Sequence, residues 1–332
     1  MSAQNIERRG LSHAQVEIHR HCKDQSILLF ITDRCPVGCL HCSVDSRVDS
    51  PTITNFGLFS EILSGICGKT SIQVVGISGG EPFAERRGLL LASSQIVESG
   101  KLLVIYTSGV WAKAAVLPEW ILKVLQLTNT VYLSTDTFHQ KTVSPIHFVR
   151  AAQAIANAGA WIVVQTLDVE QAKQLLQLAF GNDYTQHSEI VPLTPLTNGR
   201  GKDVFVRTKR VLGKTFGTCN LAVTPVVRYD GLVTGCCNES VIMGHGPMHL
   251  RRRISSQTEL NQALDYFRSD PLLRTVSGVG LGALTEHPLL RDFAERQFTS
   301  NCDLCWKVMD KFPEHGVQDR LIHAIAELEE TP

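Results

Sequence analysis

The sequence predicts an α/β protein: an open, partial (β/α)6 barrel over residues 26–200, followed by a small α+β, cysteine-rich unit over 201–332, with 1–25 as an N-terminal extension. Two observations carry the barrel. Between residues 26 and 192, short runs rich in Val, Ile and Leu alternate with longer amphipathic stretches, which is the pattern of repeated βα units on a parallel sheet. Polar motifs stand directly after the first four of those runs, and in α/β architectures reactive groups gather at the C-terminal ends of the strands. The smaller unit follows from a third observation. After Pro192 the rhythm stops, and cysteines recur at 219, 236, 237, 302 and 305.

Six strands are expected, at Ser26 to Thr32, Ser71 to Gly76, Leu102 to Tyr106, Thr130 to Ser134, Trp161 to Gln165 and Glu189 to Pro192. Between them, Phe56 to Ile66, Glu85 to Ser99, Glu119 to Leu127, Ile146 to Ala158 and Glu170 to Phe180 place apolar residues three and four apart, as surface helices packed on a sheet do. Leu193 to Asp203, rich in Thr, Pro, Gly and Asn, reads as a linker. Beyond it, Val223 to Arg228 reads as a strand and Asp230-Gly231 as a turn. Glu259 to Phe267 and Leu289 to Gln297 read as helices.

The chain of 332 residues carries 32 Lys and Arg against 32 Asp and Glu, so no single-sign field directs it to nucleic acid or an anionic membrane. Its polar start lacks the apolar stretch of a signal peptide, and no window approaches the ~20 apolar residues of a membrane span. A cytoplasmic protein is expected. In a reducing compartment, clustered thiols point to metal or catalysis rather than disulfides. Cys22 and Cys67 read as packed thiols, and Arg251-Arg252-Arg253 as a solvated basic face.

Cys35-Pro-Val-Gly-Cys39-Leu-His-Cys42 puts three thiols on one tight loop after the first strand. Three protein ligands leave one iron of a 4Fe-4S cluster open to a small molecule, and the CxxxCxxC spacing differs from the CxxC pairs of zinc sites. Ser78-Gly79-Gly80-Glu81-Pro82 follows the second strand, Thr107-Ser108-Gly109 the third, and Ser134-Thr135-Asp136 ends and follows the fourth. Together these motifs, in register over roughly residues 26–192, resemble the radical S-adenosylmethionine (radical SAM) superfamily: its signature loop, with the ring residue His41 before the third cysteine, and its GGEP motif.

The resemblance implies a 4Fe-4S cluster on Cys35, Cys39 and Cys42. SAM binds its open iron and is cleaved reductively to a 5′-deoxyadenosyl radical that abstracts hydrogen from substrate. Gly79, Gly80, Glu81 and Pro82 are the expected SAM contacts, with Glu81 near the methionine ammonium and His41 as the ring residue. Thr107, Ser108 and Ser134 are candidates for the ribose or carboxylate, against ordinary loop capping. Asp136 either orients SAM or substrate or caps a turn, and His139 reads as a satisfied loop histidine.

Cys219, Cys236, Cys302 and Cys305 resemble the four-cysteine pattern of a Twitch/SPASM-like auxiliary domain, which implies a second 4Fe-4S cluster; a structural zinc site is the alternative. The CxxC pair is expected on a late loop. Cys237 can replace Cys236 as ligand, pack as an inert thiol, or donate a hydrogen atom to a substrate radical.

The resulting expectation is an oxidoreductase or maturase acting on a ribosomally made peptide, by epimerisation, cross-linking or oxidation, or on a small metabolite. A reducing partner such as a flavodoxin or ferredoxin would serve it. Only 34 residues precede Cys35, fewer than the roughly eighty of a leader-recognition domain. The alternative from another class is a non-catalytic iron-sulfur or zinc scaffold, or an electron-transfer partner, on the same fold.

Overall fold

The branched apolar runs of the first half become six parallel strands. The computed structural model describes residues 10–22, 24–207, 209–312 and 319–328. Strands β1 (Ser26–Phe30), β2 (Val74–Ser78), β3 (Leu102–Thr107), β4 (Thr130–Ser134), β5 (Trp161–Thr166) and β6 (Ser188–Pro192) lie in chain order, each parallel to the next. This sheet is open; among the described residues no pairing joins β6 back to β1. The partial, unclosed α/β architecture is therefore the one the sequence predicts.

Helices α1 (His13–His21), α2 (Phe56–Gly68), α3 (Arg86–Glu98), α4 (Glu119–Leu127), α5 (Pro145–Asn157) and α6 (Val169–Phe180) cover the sheet. Side-chain caps start several of them: Asn55 accepts from the Leu58 amide, Glu85 from Gly88 and Asp168 from Gln171. In α2 the buried face is Phe59, Ile62, Leu63 and Ile66, the spacing of a stripe turned to a sheet. The N-terminal extension contributes α1. Val16 packs with Val74, Val104, Tyr132 and Val163, and the Leu11 amide and carbonyl both bond the Thr130 hydroxyl.

Strand β2 begins three residues later than expected. Lys101 Nζ donates to the carbonyls of Lys69 and Ile72 (2.8 Å each), so these residues finish the turn after α2 instead of pairing. The register sets Phe30 beside Ser78, so the segments that leave β1 and β2 emerge side by side.

The chain divides into two units, the first running to Val204 with Arg228–Asp230, the second comprising Phe205–Val227 and Gly231–Pro332. The second has β7 (Val211–Leu212), all but the last residue of β8 (Ala222–Arg228), β9 (Leu232–Cys236), β10 (Arg251–Arg253) and β11 (Gln297–Phe298). Antiparallel pairs form between β8 and β9, β9 and β10, and β7 and β11. Its helices are α7 (Glu239–Ile242), α8 (Gln257–Ser269), α9 (Pro271–Gly278), α10 (Leu281–Leu284), α11 (Arg291–Ala294), α12 (Asn301–Lys311) and α13 (Arg320–Leu328).

Two expectations are corrected here. Leu289 to Gln297 is not one helix: only α11 is helical, and Gln297–Phe298 runs extended against β7, which lets Phe298 bury edge-on to Phe216 and Phe293. Cys302 and Cys305 do not lie on a loop. They occupy the first turns of α12, which Ser300 caps by accepting from the Asp303 amide.

Candidate functional site

The three-cysteine loop leaves β1 and is tied down by its own backbone. The Cys35 amide donates to the Arg47 carbonyl (2.8 Å), the Cys42 amide to Cys39 (3.3 Å), and Gly38 takes a left-handed φ of +66°. Cys35 and Cys39 pack partly buried against Val37, Val110 and Val143. Burial, the Glu81 carboxylate and Cys42 push the Cys35 thiol up to about 11. Burial, then Cys35, Cys42 and Asp136, raise Cys39, against the opposing charge of Arg200. Cys35 and Cys42 thus lie close enough to oppose the ionisation of Cys39, and a bound cation would relieve that repulsion.

The GGEP segment is fastened to the root of this loop. Gly80 N donates to the Thr32 carbonyl (2.7 Å) and Glu81 N to Arg34 (2.9 Å). A Cβ on Gly79 would stand 2.5 Å from the Thr32 carbonyl oxygen, and one on Gly80 2.5 Å from that of Arg34, so only glycine permits the approach. Pro82 then opens a short helical turn.

Glu81 is 1% exposed and accepts four hydrogen bonds: Thr107 Oγ1 (2.7 Å) and the Phe83 amide (3.3 Å) on one oxygen, the Ser108 amide (3.0 Å) and Ser108 Oγ (2.5 Å) on the other. Burial raises its pKa, and the bonds from Ser108 and Thr107 oppose the shift. Thr107 Oγ1 also accepts from Trp111 Nε1 at 3.1 Å. The hydroxyls of Thr107 and Ser108 therefore face Glu81 and hold its carboxylate in place. Ser134 ends β4, half-buried, beside Gln165.

Asp136 gathers two histidines from different segments. His41 Nε2 lies 3.2 Å from one carboxylate oxygen and His139 Nδ1 3.0 Å from the other, while the Phe138 and His139 amides donate to the second. Burial tends to raise this carboxyl, but the hydrogen bonds from His139 and His41 outweigh it and hold the group well below the usual range. The His41 ring stacks on Phe138 with centroids 4.5 Å apart. Its orientation is therefore set by a charge on one edge and a ring on one face.

In the second unit, Cys219, Cys236, Cys302 and Cys305 line one hollow together with Leu273, Val276, Trp306 and Met309. Cys236, 8% exposed, faces it; Cys237 does not line it and donates its amide to the Leu221 carbonyl (3.0 Å). Burial, then Cys219 and Glu239, push the Cys302 thiol up to about 11, and burial with the neighbouring cysteines raises Cys236 and Cys305. Asn238 Nδ2 donates to Cys302 Sγ at 3.3 Å. Its Oδ1 caps α7 by accepting from the Ser240 and Val241 amides, which fixes which end of the amide meets the sulfur.

Among the described residues, the only trio of His, Cys, Asp or Glu whose ligand atoms all lie within 4.8 Å of one another is His41, Asp136 and His139. Neither cysteine group closes that tightly. A tetrahedral zinc with Zn–S near 2.3 Å holds its sulfurs roughly 3.8 Å apart, whereas a four-iron cluster is larger and sets its ligands wider. Thiols spaced this widely leave room for a four-iron cluster.

Sequence reasoning missed Arg200 and Asn238. Arg200 stood in a presumed linker, but its side chain bonds the Cys39 carbonyl, and the Gly199–Asp203 turn lies against the cysteine loop. The Asn-Gly-Arg-Gly run was the available signal, because a basic residue between two glycines marks a place where backbones come close.

No family model matches the chain, and no curated protein matches its sequence. Among solved structures it is similar to anSMEcpe with bound AdoMet and the Cp18Cys peptide, at 12% identity and TM-score 0.51, over 91% of this chain and 99% of that one. It is similar to Streptococcus suis SuiB bound to precursor peptide SuiA, at 14% identity and TM-score 0.50, over 91% and 84%. A likeness to SuiB bound to S-adenosylmethionine (13% identity, TM-score 0.48) covers 75% of this chain and 66% of that one. The chain has the radical SAM fold.

Proposed function

We propose that the chain is a radical SAM enzyme that modifies a ribosomally made peptide, with Cys35, Cys39 and Cys42 holding the SAM-binding 4Fe-4S cluster and a Twitch/SPASM-like second unit holding an auxiliary one on Cys219, Cys236, Cys302 and Cys305. The observation that carries this reading is the bonding of the GGEP segment to the root of the cysteine loop, which brings Glu81 near Cys35 at the C-terminal ends of β1, β2 and β3. When bound, the cluster and SAM supply the electron and the 5′-deoxyadenosyl radical that abstracts hydrogen.

The chain's own residues bind and orient. Glu81, its carboxylate oxygens taken up by Thr107, Ser108 and the Phe83 amide, fixes the ends of β2 and β3 where the methionine end of SAM would bind. His41, steadied by Asp136 and Phe138, offers a ring for stacking, and Ser134 stands at the next strand end with a free choice of donor or acceptor. A peptide substrate is favoured by two structural relatives solved with peptides bound. The described residues contain no helix long and apolar enough to cross a membrane.

The test is anaerobic reconstitution with a strong reductant. Methionine and 5′-deoxyadenosine should form from SAM in the wild type and not in Cys39→Ala. Protein that carries iron yet leaves SAM intact, with candidate peptides present, would return the chain to the class of scaffold or electron carrier.

A further inference from the structure

Outside the motifs, the densest set of bonds to the cysteine loop among the described residues comes from one side chain. Arg200 Nε and Nη2 both donate to the Cys39 carbonyl (2.9 and 2.8 Å), Nη2 also donates to the Ser46 carbonyl (3.0 Å), and Nη1 pairs with Asp45 Oδ1 (2.5 Å). Its own amide donates to the Cys42 carbonyl at 2.9 Å. The side chain is 15% exposed.

The flanking glycines make this possible. Gly199 has φ +53°, and a Cβ there would stand 2.5 Å from the Cys42 carbonyl oxygen; one on Gly201 would meet the Leu196 carbonyl at 2.2 Å. The turn is thus pressed flat on residues 41–43, and the guanidinium reaches past it to carbonyls on both sides of the third cysteine. A planar fork with five donors can bridge several carbonyls at once, which an ammonium on a flexible stem does not.

We propose that Arg200 is a positioning residue for the cluster loop. It locks the loop's backbone before any cluster is inserted, and its charge beside Cys39 favours the more negative, reduced form of the cluster that the loop would hold. The second half rests on the proposed function; the first half does not. Positive charge near a thiolate-ligated cluster stabilises added electrons, since net charge and bonds to the sulfurs set its potential. Asp45, which takes both Arg200 and Arg47 (3.1 Å), is half exposed and offsets this charge only in part.

The experiment compares full-length wild type, Arg200→Gln, Arg200→Lys and Lys202→Ala, the last an exposed cation on the same turn. In cluster-free protein, the alkylation rate of Cys42 by iodoacetamide is read by peptide mass spectrometry. Arg200→Gln should raise it about tenfold by letting the loop open, Arg200→Lys by less, and Lys202→Ala not at all.

After reconstitution, a redox titration followed by electron paramagnetic resonance reads the signal that SAM perturbs. Arg200→Gln should make reduction about tenfold less favourable, which is ~59 mV for one electron, while Arg200→Lys stays near wild type. Wild-type alkylation rates in both Arg200 variants would overturn the clamp, and an unmoved potential in Arg200→Gln would overturn the charge effect. If the wild type shows no SAM-responsive signal, the proposed function and the charge effect fall together, and the alkylation rates still decide the clamp. Should Arg200→Gln fail to fold, Arg200→Lys carries the alkylation test, because it keeps the charge and removes only the fork.

Discussion

The two cysteine groups are built in opposite ways. The first is local: three thiols within eight residues, on a loop whose backbone is bonded to Arg47, to the GGEP segment and to Arg200. The second is assembled from three places, Cys219 before β8, Cys236 at the end of β9, and Cys302 with Cys305 on α12, around a hollow walled by Leu273, Val276 and Met309. A local loop leaves one side of its donor set open to a ligand, while a distant set surrounds its site with protein. On the proposed function, the first design suits a cluster that must touch SAM, and the second suits one that transfers electrons or anchors substrate.

The largest effect should come from breaking one group and sparing the other. In anaerobically purified protein, replacing Cys35, Cys39 and Cys42 together by alanine should lower iron from about eight to about four per chain and abolish SAM cleavage. Iron of about four falling to none, with zinc in both samples, would turn the second group into a zinc site.

Glu81→Gln sharpens the contrast within the first group. The four donors around the carboxylate would meet an amide that is itself a donor, leaving at least one buried group unpaired at a cost of about 1–3 kcal/mol. Denaturant titration of the cluster-free protein measures this, and an unchanged midpoint would remove Glu81 as the organiser of β2 and β3.

For the second group, Asn238→Ala removes the amide that points at Cys302 and should weaken auxiliary-cluster retention about 10–100-fold, read as iron loss to a chelator over time. Cys237→Ala, whose thiol does not line the hollow, should leave iron unchanged. If Cys237→Ala loses the cluster and Cys236→Ala keeps it, the assignment of the two reverses.

Much of the first unit was legible in the sequence because its signals are short in range. Branched apolar runs of five or six residues mark strands, three-to-four spacing marks helices, and CxxxCxxC is complete within eight residues. Signals that need a partner were not legible. Ser71 and Ile72 looked like strand until Lys101 took the carbonyl of Ile72. Leu289–Gln297 looked helical until Phe298 found β7 and two aromatic rings. The 193–203 stretch looked like a linker because glycine and proline suit loops whether or not another backbone lies against them.

By itself, then, the sequence determined the open α/β sheet, the three-thiol loop after its first strand and the Glu81 motif after its second, all set by local periodicity and spacing. The tertiary structure alone decided that Thr107 and Ser108 turn their hydroxyls to Glu81, that Asp136 holds His41, and that Cys236 rather than Cys237 meets Cys302 and Cys305 at one hollow. It alone brought Arg200 onto the Cys39 carbonyl, 161 residues away in the chain. The reason is physical: a hydrogen bond reaches about 3 Å and is blind to sequence separation, so which buried polar groups satisfy one another is settled only when the elements have packed.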